Sequence, residues 1–261
     1  MPELKFAEIR KNVAKTYGSI AKNGGSCCGS NSGCCTEISA NPSISEKMGY
    51  TADDLATVPE GANLGLGCGN PQTIATLKPG ETVLDLGSGG GFDCFLAARQ
   101  VGNTGRVIGV DMTPEMIAKA RENAAKASLT NVEFRLGEIE HLPVADNSVD
   151  AIISNCVINL SPEKAQVFAE AFRVLKSGGR IAISDVVALQ PFPEAMLNSS
   201  EALCSCVAGA VSVETLEKAI RTAGFSEIRI ELKPESSTLI KTWFPDAEKY
   251  VCSANIKATK A

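Results

Sequence analysis

VLDLGSGGGFD, residues 83–93, is the stretch on which the fold turns. An apolar run of strand-forming residues gives way to the glycines Gly87, Gly89, Gly90 and Gly91, and then to the helical pattern FDCFLAARQ. Glycine serves where a backbone must turn tightly and approach a ligand without a Cβ in the way. A strand that ends in such a turn and opens a helix is the first unit of a doubly wound α/β sheet, whose ligands lie at the carboxyl edge of the strands. The spacing does not match a dinucleotide fingerprint. Counted from Gly87, the sixth position of G-x-G-x-x-G is Phe92, where a small residue is required.

Downstream, short apolar runs alternate with helical periodicities as far as Val187: TVLDLG, RVIGVDM, VEFRLGE, VDAIISN and RIAISDVV. This alternation predicts a Rossmann-like, doubly wound, mostly parallel sheet. Thr113-Pro114 and Ser161-Pro162 each pair a hydroxyl N-cap with proline at the first helical position, and KSGG at 176–179 is expected to stop the second of these helices. Beyond residue 189 come a helical stretch holding Cys204 and Cys206, a helix over VETLEKAIRTAG, and two closing strands, SEIRIEL and YVCSANIKAT. The chain therefore reads as an N-terminal helix and cysteine-rich loop (1–45), a cofactor-binding α/β domain (46–189), and a C-terminal segment that binds substrate and closes the sheet (190–261).

Composition narrows the partners. Lys and Arg number 25 against 30 Asp and Glu, with no basic run of the kind that tracks nucleic acid or anionic lipid. The N-terminal MPELKFAEIRKNVAKTYG alternates charged and apolar residues, which predicts an amphipathic helix and not a signal peptide. No apolar run nears the ~20 residues that span a bilayer. A cytoplasmic, monomeric protein is expected, in which ten cysteines stay reduced and serve as ligands or in catalysis more readily than as disulfides.

The pattern Asp85-x-Gly87-x-Gly89-x-Gly91 is similar to the cofactor turn of S-adenosylmethionine-dependent methyltransferases. Asp111 ends the next strand, twenty positions after Gly91, where a carboxylate can accept both ribose hydroxyls. Ser88, Met112 and Asn155 flank these positions at strand ends and are expected to join them. By resemblance to that superfamily, Glu138 and Ile139, in LGEIEHLPVADNSVD, lie near the adenine. His141 in the same loop reads as a solvated histidine, since nothing in the sequence brings partners to it.

The cysteines differ in setting. Cys94 in a helix and Cys252 in a closing strand read as small core residues. Cys68 sits in the glycine-rich LGLGCGNP, Cys156 at the carboxyl end of a parallel strand, and Cys206 in CSCVAGA beyond the last parallel strand. Topology can bring these three thiols together above the cofactor edge. The run SCCGSNSGCC (26–35) lacks the C-x₂₋₄-C spacing of a zinc site. It reads either as a mobile thiol-bearing lid or shuttle, or as a loop with no part in turnover.

ANLGLGCGNP, LDLGSGGGFDCFLA, VIGVDMTPEM, SNCVINLSP, EAFRVLKSGGR and CSCVAGA together resemble the arsenite S-adenosylmethionine methyltransferases, from about Tyr17 to the last strand. The resemblance implies a class I methyltransferase fold with an antiparallel C-terminal strand. It implies that Cys68, Cys156 and Cys206 bind As(III), that Cys34 takes part in handling arsenic or in turnover, and that Tyr17, in a Tyr17-Gly18 motif, lies near the cofactor. Cys27, Cys28 or Cys35 could replace Cys34, because this chain carries two cysteine pairs. Cys204 reads as filler. The implied partners are arsenite, methylated trivalent arsenicals and a thiol reductant such as glutathione or a thioredoxin-like protein.

The chemistry agrees with the residue types. As(III) is soft and favours thiolate over imidazole or carboxylate. Held by three sulfurs it keeps a lone pair that can attack the methyl group of a sulfonium without any general base, provided the reacting atoms are held at roughly 3–3.5 Å in line. Two other readings compete: a methyltransferase for an organic, quinone-like acceptor, for which Cys156 would matter little, and a non-catalytic thiol-based metalloid binder, which would have no use for the cofactor turn.

Overall fold

The computed structural model describes residues 2–23, 42–197 and 199–261. Its centre is one seven-stranded sheet: β1 Thr82–Leu86, β2 Arg106–Asp111, β3 Val132–Leu136, β4 Val149–Asn155, β5 Leu175–Ala188, β6 Ser226–Lys233 and β7 Val251–Thr259, in the order β3-β2-β1-β4-β5-β7-β6. The first five strands run parallel, and β7 is antiparallel to both β5 and β6. This is the mostly parallel class I methyltransferase sheet that the sequence predicts.

The inner strands are buried on both faces, which is why they read as continuous apolar runs. Along β1, Leu84 and Leu86 join a core with Ile152, Phe168, Ile183 and Ile220, while Val83 joins the opposite one with Phe95, Val107, Ile117 and Ile153. The helices that cover these faces are α2 Phe92–Val101, α3 Pro114–Lys126, α4 Lys164–Val174 and α5 Val213–Thr222, while α1, Pro2–Asn23, precedes them in the chain. Among the described residues no helix is long and apolar enough to cross a membrane.

Three local details differ from the sequence expectation. α4 begins at Lys164, not Pro162, because the Ser161 hydroxyl donates to Glu140 at 2.5 Å and accepts from the Glu163 amide at 3.1 Å. α4 ends at Val174, and KSGG lies inside β5. α3 does begin at Pro114 after Thr113, but Thr113 makes no side-chain cap; its own amide instead donates to Asp111 Oδ1 at 2.8 Å.

A third apolar cluster roofs the carboxyl edge of the sheet. It gathers Val13 of α1, Cys68, Val186, Cys204, Cys206 and Ile240. α1 is held there by the Tyr17 hydroxyl, which donates to the Cys204 carbonyl at 3.1 Å, and by Arg10, paired with Glu138, Glu140 and Glu163.

Candidate active site

At the carboxyl ends of β1, β2 and β4 a cleft of about 420 Å³ opens beneath α1. Its floor is the 83–93 turn. Gly87 has φ +69°, and a Cβ there would meet Val157 at 2.5 Å, so both conformation and space demand glycine. Gly89 has φ +51°, and a Cβ there would meet nothing within 4 Å, so its backbone is bare toward the cleft. Gly91 caps α2 at φ +93° without lining the cleft.

Asp85, Asp93 and Asp111 are the acidic wall. Asp111 accepts from the amides of Gly89 (3.0 Å) and Thr113 (2.8 Å). Asp93 accepts from the Tyr50 hydroxyl at 2.8 Å and from Gln72 at 3.3 Å. Burial pushes the pKa of Asp85 well above the carboxylate range, helped by the charge of Asp93, and burial raises Asp93 and Asp111 as well. None of the three has a cation among its partners in the described residues. The Ser88 hydroxyl is buried on the same wall with no hydrogen-bond partner among the described residues. An acid-lined cleft with a bare glycine turn and an unpartnered hydroxyl fits S-adenosylmethionine, whose sulfonium and ammonium are cationic and whose ribose and carboxylate need hydrogen-bonding partners.

The other expected residues separate. Tyr17, Met112, Ile139 and Asn155 line the cleft. Glu138 does not: its half-exposed side chain turns to Arg10 and lies 4.0 Å from His141, and the buried Glu140 takes the place beside Ile139. His141 is exposed, as its loop setting implied. Asn155 lines the cleft yet also works as a tie. Its Oδ1 accepts from the Cys68 amide at 3.0 Å, and its Nδ2 donates to the Gly69 carbonyl at 2.8 Å and to the Tyr50 hydroxyl at 3.0 Å.

The cysteines of the core converge. The parallel register pairs Asn155 with Ser184, so the next residues, Cys156 and Asp185, fall side by side, and the Cys156 amide donates to the Ser184 carbonyl at 2.8 Å. Cys68 Sγ, Cys156 Sγ and an Asp185 carboxylate oxygen all lie within 4.8 Å of one another. Cys206 approaches from the other side and its Sγ donates to the Cys156 carbonyl at 2.8 Å. Cys156 and Cys206 line the main cleft, whereas Cys68 opens on a smaller cavity between Lys47 and Lys233. Cys156 (φ +57°) and Cys206 (φ +63°) both adopt the left-handed backbone that ordinarily favours glycine, a strain of about 1–2 kcal/mol each.

The neighbouring thiols Cys206 and Cys68, with burial, hold Cys156 protonated well above the usual thiol range, and burial raises Cys68. Asp185 is pushed up to about 6 by burial, against the pull of the Val186 amide and Lys164. Sequence reasoning passed over Asp185, although an acid inside the apolar run RIAISDVV was its signal. It also passed over Tyr50 and Asp93, which carry no local signal. Cys94 and Cys252 are buried as expected, Cys94 donating to Asp85 at 3.2 Å. Cys204 is buried at the cleft wall beside Thr16. Cys34, with Cys27, Cys28 and Cys35, lies outside the described residues.

Comparisons with known proteins bear on this site. A family model described as a methyltransferase domain matches residues 77–235. The arsenite methyltransferase of Halobacterium salinarum is 59% identical over 83% of this chain and 56% of its own length. That of Mus musculus is 34% identical over 85% of this chain and 59% of its own. The chain thus spans little more than half the length of these curated relatives. Among solved structures, an arsenic (III) S-adenosylmethionine methyltransferase from Chlamydomonas reinhardtii superposes with a TM-score of 0.62 at 30% identity, over 84% of this chain and 74% of that one. Likeness on this scale reaches well beyond the glycine turn shared by methyltransferases at large, and the chain belongs to the arsenite methyltransferase family.

Proposed function

We propose that this chain transfers methyl groups from S-adenosylmethionine to trivalent arsenic, arsenite or methylarsenite, bound through Cys68, Cys156 and Cys206. The observation that carries the reading is the meeting of these thiols at the edge of the acid-walled cleft. When bound, S-adenosylmethionine supplies an electrophilic methyl group on a sulfonium. Asp85, Asp93, Asp111 and Ser88 are the residues that would hold it, with Ile139, Met112 and Tyr17 enclosing it. The chain's remaining task is to fix the metalloid. Cys156 and Cys206, both on left-handed backbone, meet where the Cys206 Sγ donates to the Cys156 carbonyl, and the Asn155 tie holds the Cys68 loop beside them. Each arsenic–sulfur bond forms as an arsenic–hydroxyl bond breaks, and the thiol hydrogen leaves with that hydroxyl as water. No general base is required for this net exchange, because the departing hydroxyl takes the proton that the neighbouring thiols and burial keep on Cys156.

A thiol reductant, glutathione or thioredoxin-like, is the partner proposed for turnover, and the monomer is the proposed unit. Whether Cys34 shares in that turnover is tested by Cys34→Ser, expected to slow it.

The test uses purified protein, labelled methyl donor, a thiol reductant and arsenite, followed by separation of arsenic species. Labelled methylarsenicals should form with the wild type and vanish with Cys156→Ser. Transfer only to organic acceptors, or activity unchanged by Cys156→Ser, would sink the reading.

A further inference from the structure

The thiol cluster has an oxygen side. Cys68 Sγ and Cys156 Sγ share their mutual 4.8 Å neighbourhood with Asp185, while Cys206 Sγ is engaged with the Cys156 carbonyl. The site as built is therefore two sulfurs and one carboxylate. A carboxylate offers about four acceptor positions. On Oδ1 two are filled, by Asn159 Nδ2 at 2.9 Å and the Val186 amide at 2.8 Å; on Oδ2 one is filled, by the Ile158 amide at 3.0 Å. The Asn159 amide faces the same carboxylate, one oxygen of which lies within 4.8 Å of both Cys68 Sγ and Cys156 Sγ. These donors fix the carboxylate in place, since three are backbone amides and the fourth, the Asn159 side chain, is itself tied to the Val186 carbonyl. On the Cys68 side the buried Ser253 hydroxyl faces the Cys68 thiol.

We propose that Asp185 accepts a hydrogen bond from the hydroxyl that arsenic keeps when it is bound by Cys68 and Cys156 alone, and thereby favours arsenite over arsenicals carrying carbon in that position. The inference rests on the reading of these thiols as arsenic ligands. The balance of atoms makes the distinction. Arsenite has three hydroxyls, so two exchanges with thiols release two waters and leave one As–OH, a donor. An organoarsenical with one As–C bond has two hydroxyls, and the same two exchanges leave none. Cys206 then displaces the last hydroxyl of arsenite as water, with no change of oxidation state at any step.

The experiment uses the full chain with Cys27, Cys28, Cys34 and Cys35 replaced by Ser to remove competing thiols, in a Cys206→Ser background that stops at two sulfurs. Arsenite and phenylarsenite are titrated while following the fluorescence of Trp243, the single tryptophan, which lines the cleft. Asp185→Ala should weaken arsenite at least about tenfold, the effect of one hydrogen bond to a charged acceptor, and change phenylarsenite less than about twofold. Equal losses for both ligands, no loss for arsenite, or arsenite binding that already requires Cys206 would each overturn the inference. Phenylarsenite binding reports an intact site. Should Asp185→Ala not fold, Asp185→Asn, which keeps the shape and replaces one acceptor by a donor, must show the same split between ligands. If neither arsenical binds even with Cys206 present, the thiol-site reading falls together with this one. If phenylarsenite binds and the split is missing, only the role of Asp185 falls.

Discussion

Cys68 and Asn155 stand 87 residues apart in the chain, yet the Cys68 amide donates to Asn155 Oδ1 at 3.0 Å, so the end of β4 grips the backbone of the glycine-rich loop. The same side chain reaches the Gly69 carbonyl and the Tyr50 hydroxyl, and Tyr50 in turn donates to Asp93 on the acidic wall. One amide thus joins the thiol side of the site to the cofactor side.

Removing that grip should loosen Cys68 more than it harms the fold. Asn155→Ala is expected to cost about 2 kcal/mol in thermal or denaturant unfolding, because it strands buried donors and acceptors, and to weaken arsenite binding at least about tenfold. Gly67→Ala should act in the same direction: φ is +134° there, and a Cβ would press on the Asn155 amide at 2.8 Å. Arsenite affinity unchanged in both variants would show that the loop is held by other contacts.

Gly209→Ala tests the seat of Cys206. A Cβ at Gly209 would lie 1.9 Å from the Asn159 carbonyl oxygen, a backbone atom that cannot swing aside. The variant is expected to lose about 3 kcal/mol of stability and to lose arsenite affinity, because residues 204–210 must shift away from Cys156. Cofactor affinity, measured by calorimetry, should fall far less, since the glycine turn and Asp111 are remote from the clash. Equal losses of both ligands would argue against a local effect.

Arg10→Ala should free α1 from the sheet edge. Arg10 pairs with Glu138, Glu140 and Glu163, and Glu140 is only 3% exposed, so its buried carboxylate would be left with the Ser161 hydroxyl and the charge of Lys164 alone. Because Arg10 is itself partly exposed, a loss of about 2 kcal/mol is expected, below that of a fully buried pair. Adding Glu140→Gln should restore part of it. A double variant no more stable than Arg10→Ala would place the cost elsewhere.

Cofactor affinity should depend on pH through the acidic wall. Asp85, Asp93 and Asp111 have raised pKa values in the free protein, mainly from burial. A cationic ligand prefers them ionised, so by linkage its affinity strengthens as pH rises through those raised values and weakens as pH falls. As pH rises from the acid side toward neutrality the wild type should bind S-adenosylmethionine progressively more tightly. Asp85→Asn should bind more weakly and with a flatter profile. A wild-type affinity independent of pH over that range would contradict the charge argument.

Much of this protein is legible in one dimension. The apolar runs from TVLDLG to RIAISDVV determined the five parallel strands, and Gly87, Gly89 and Asp111 marked the turn and strand end that line the cleft, because strand period, glycine conformation and the place of a strand's end are local properties of the chain. The odd settings of Cys68, Cys156 and Cys206 were also visible, since none falls within the periodic apolar pattern of a strand or helix core. The tertiary structure alone decided what surrounds them. Asp185 stands beside Cys156 because β4 and β5 pair Asn155 with Ser184; Glu138 turns outward because Arg10 of α1 is there to receive it; Cys206 meets Cys156 through a segment that returns over the sheet edge. Such meetings depend on strand order, register and the packing of segments far apart in the chain, and local sequence carries no record of the neighbour that long-range packing will supply.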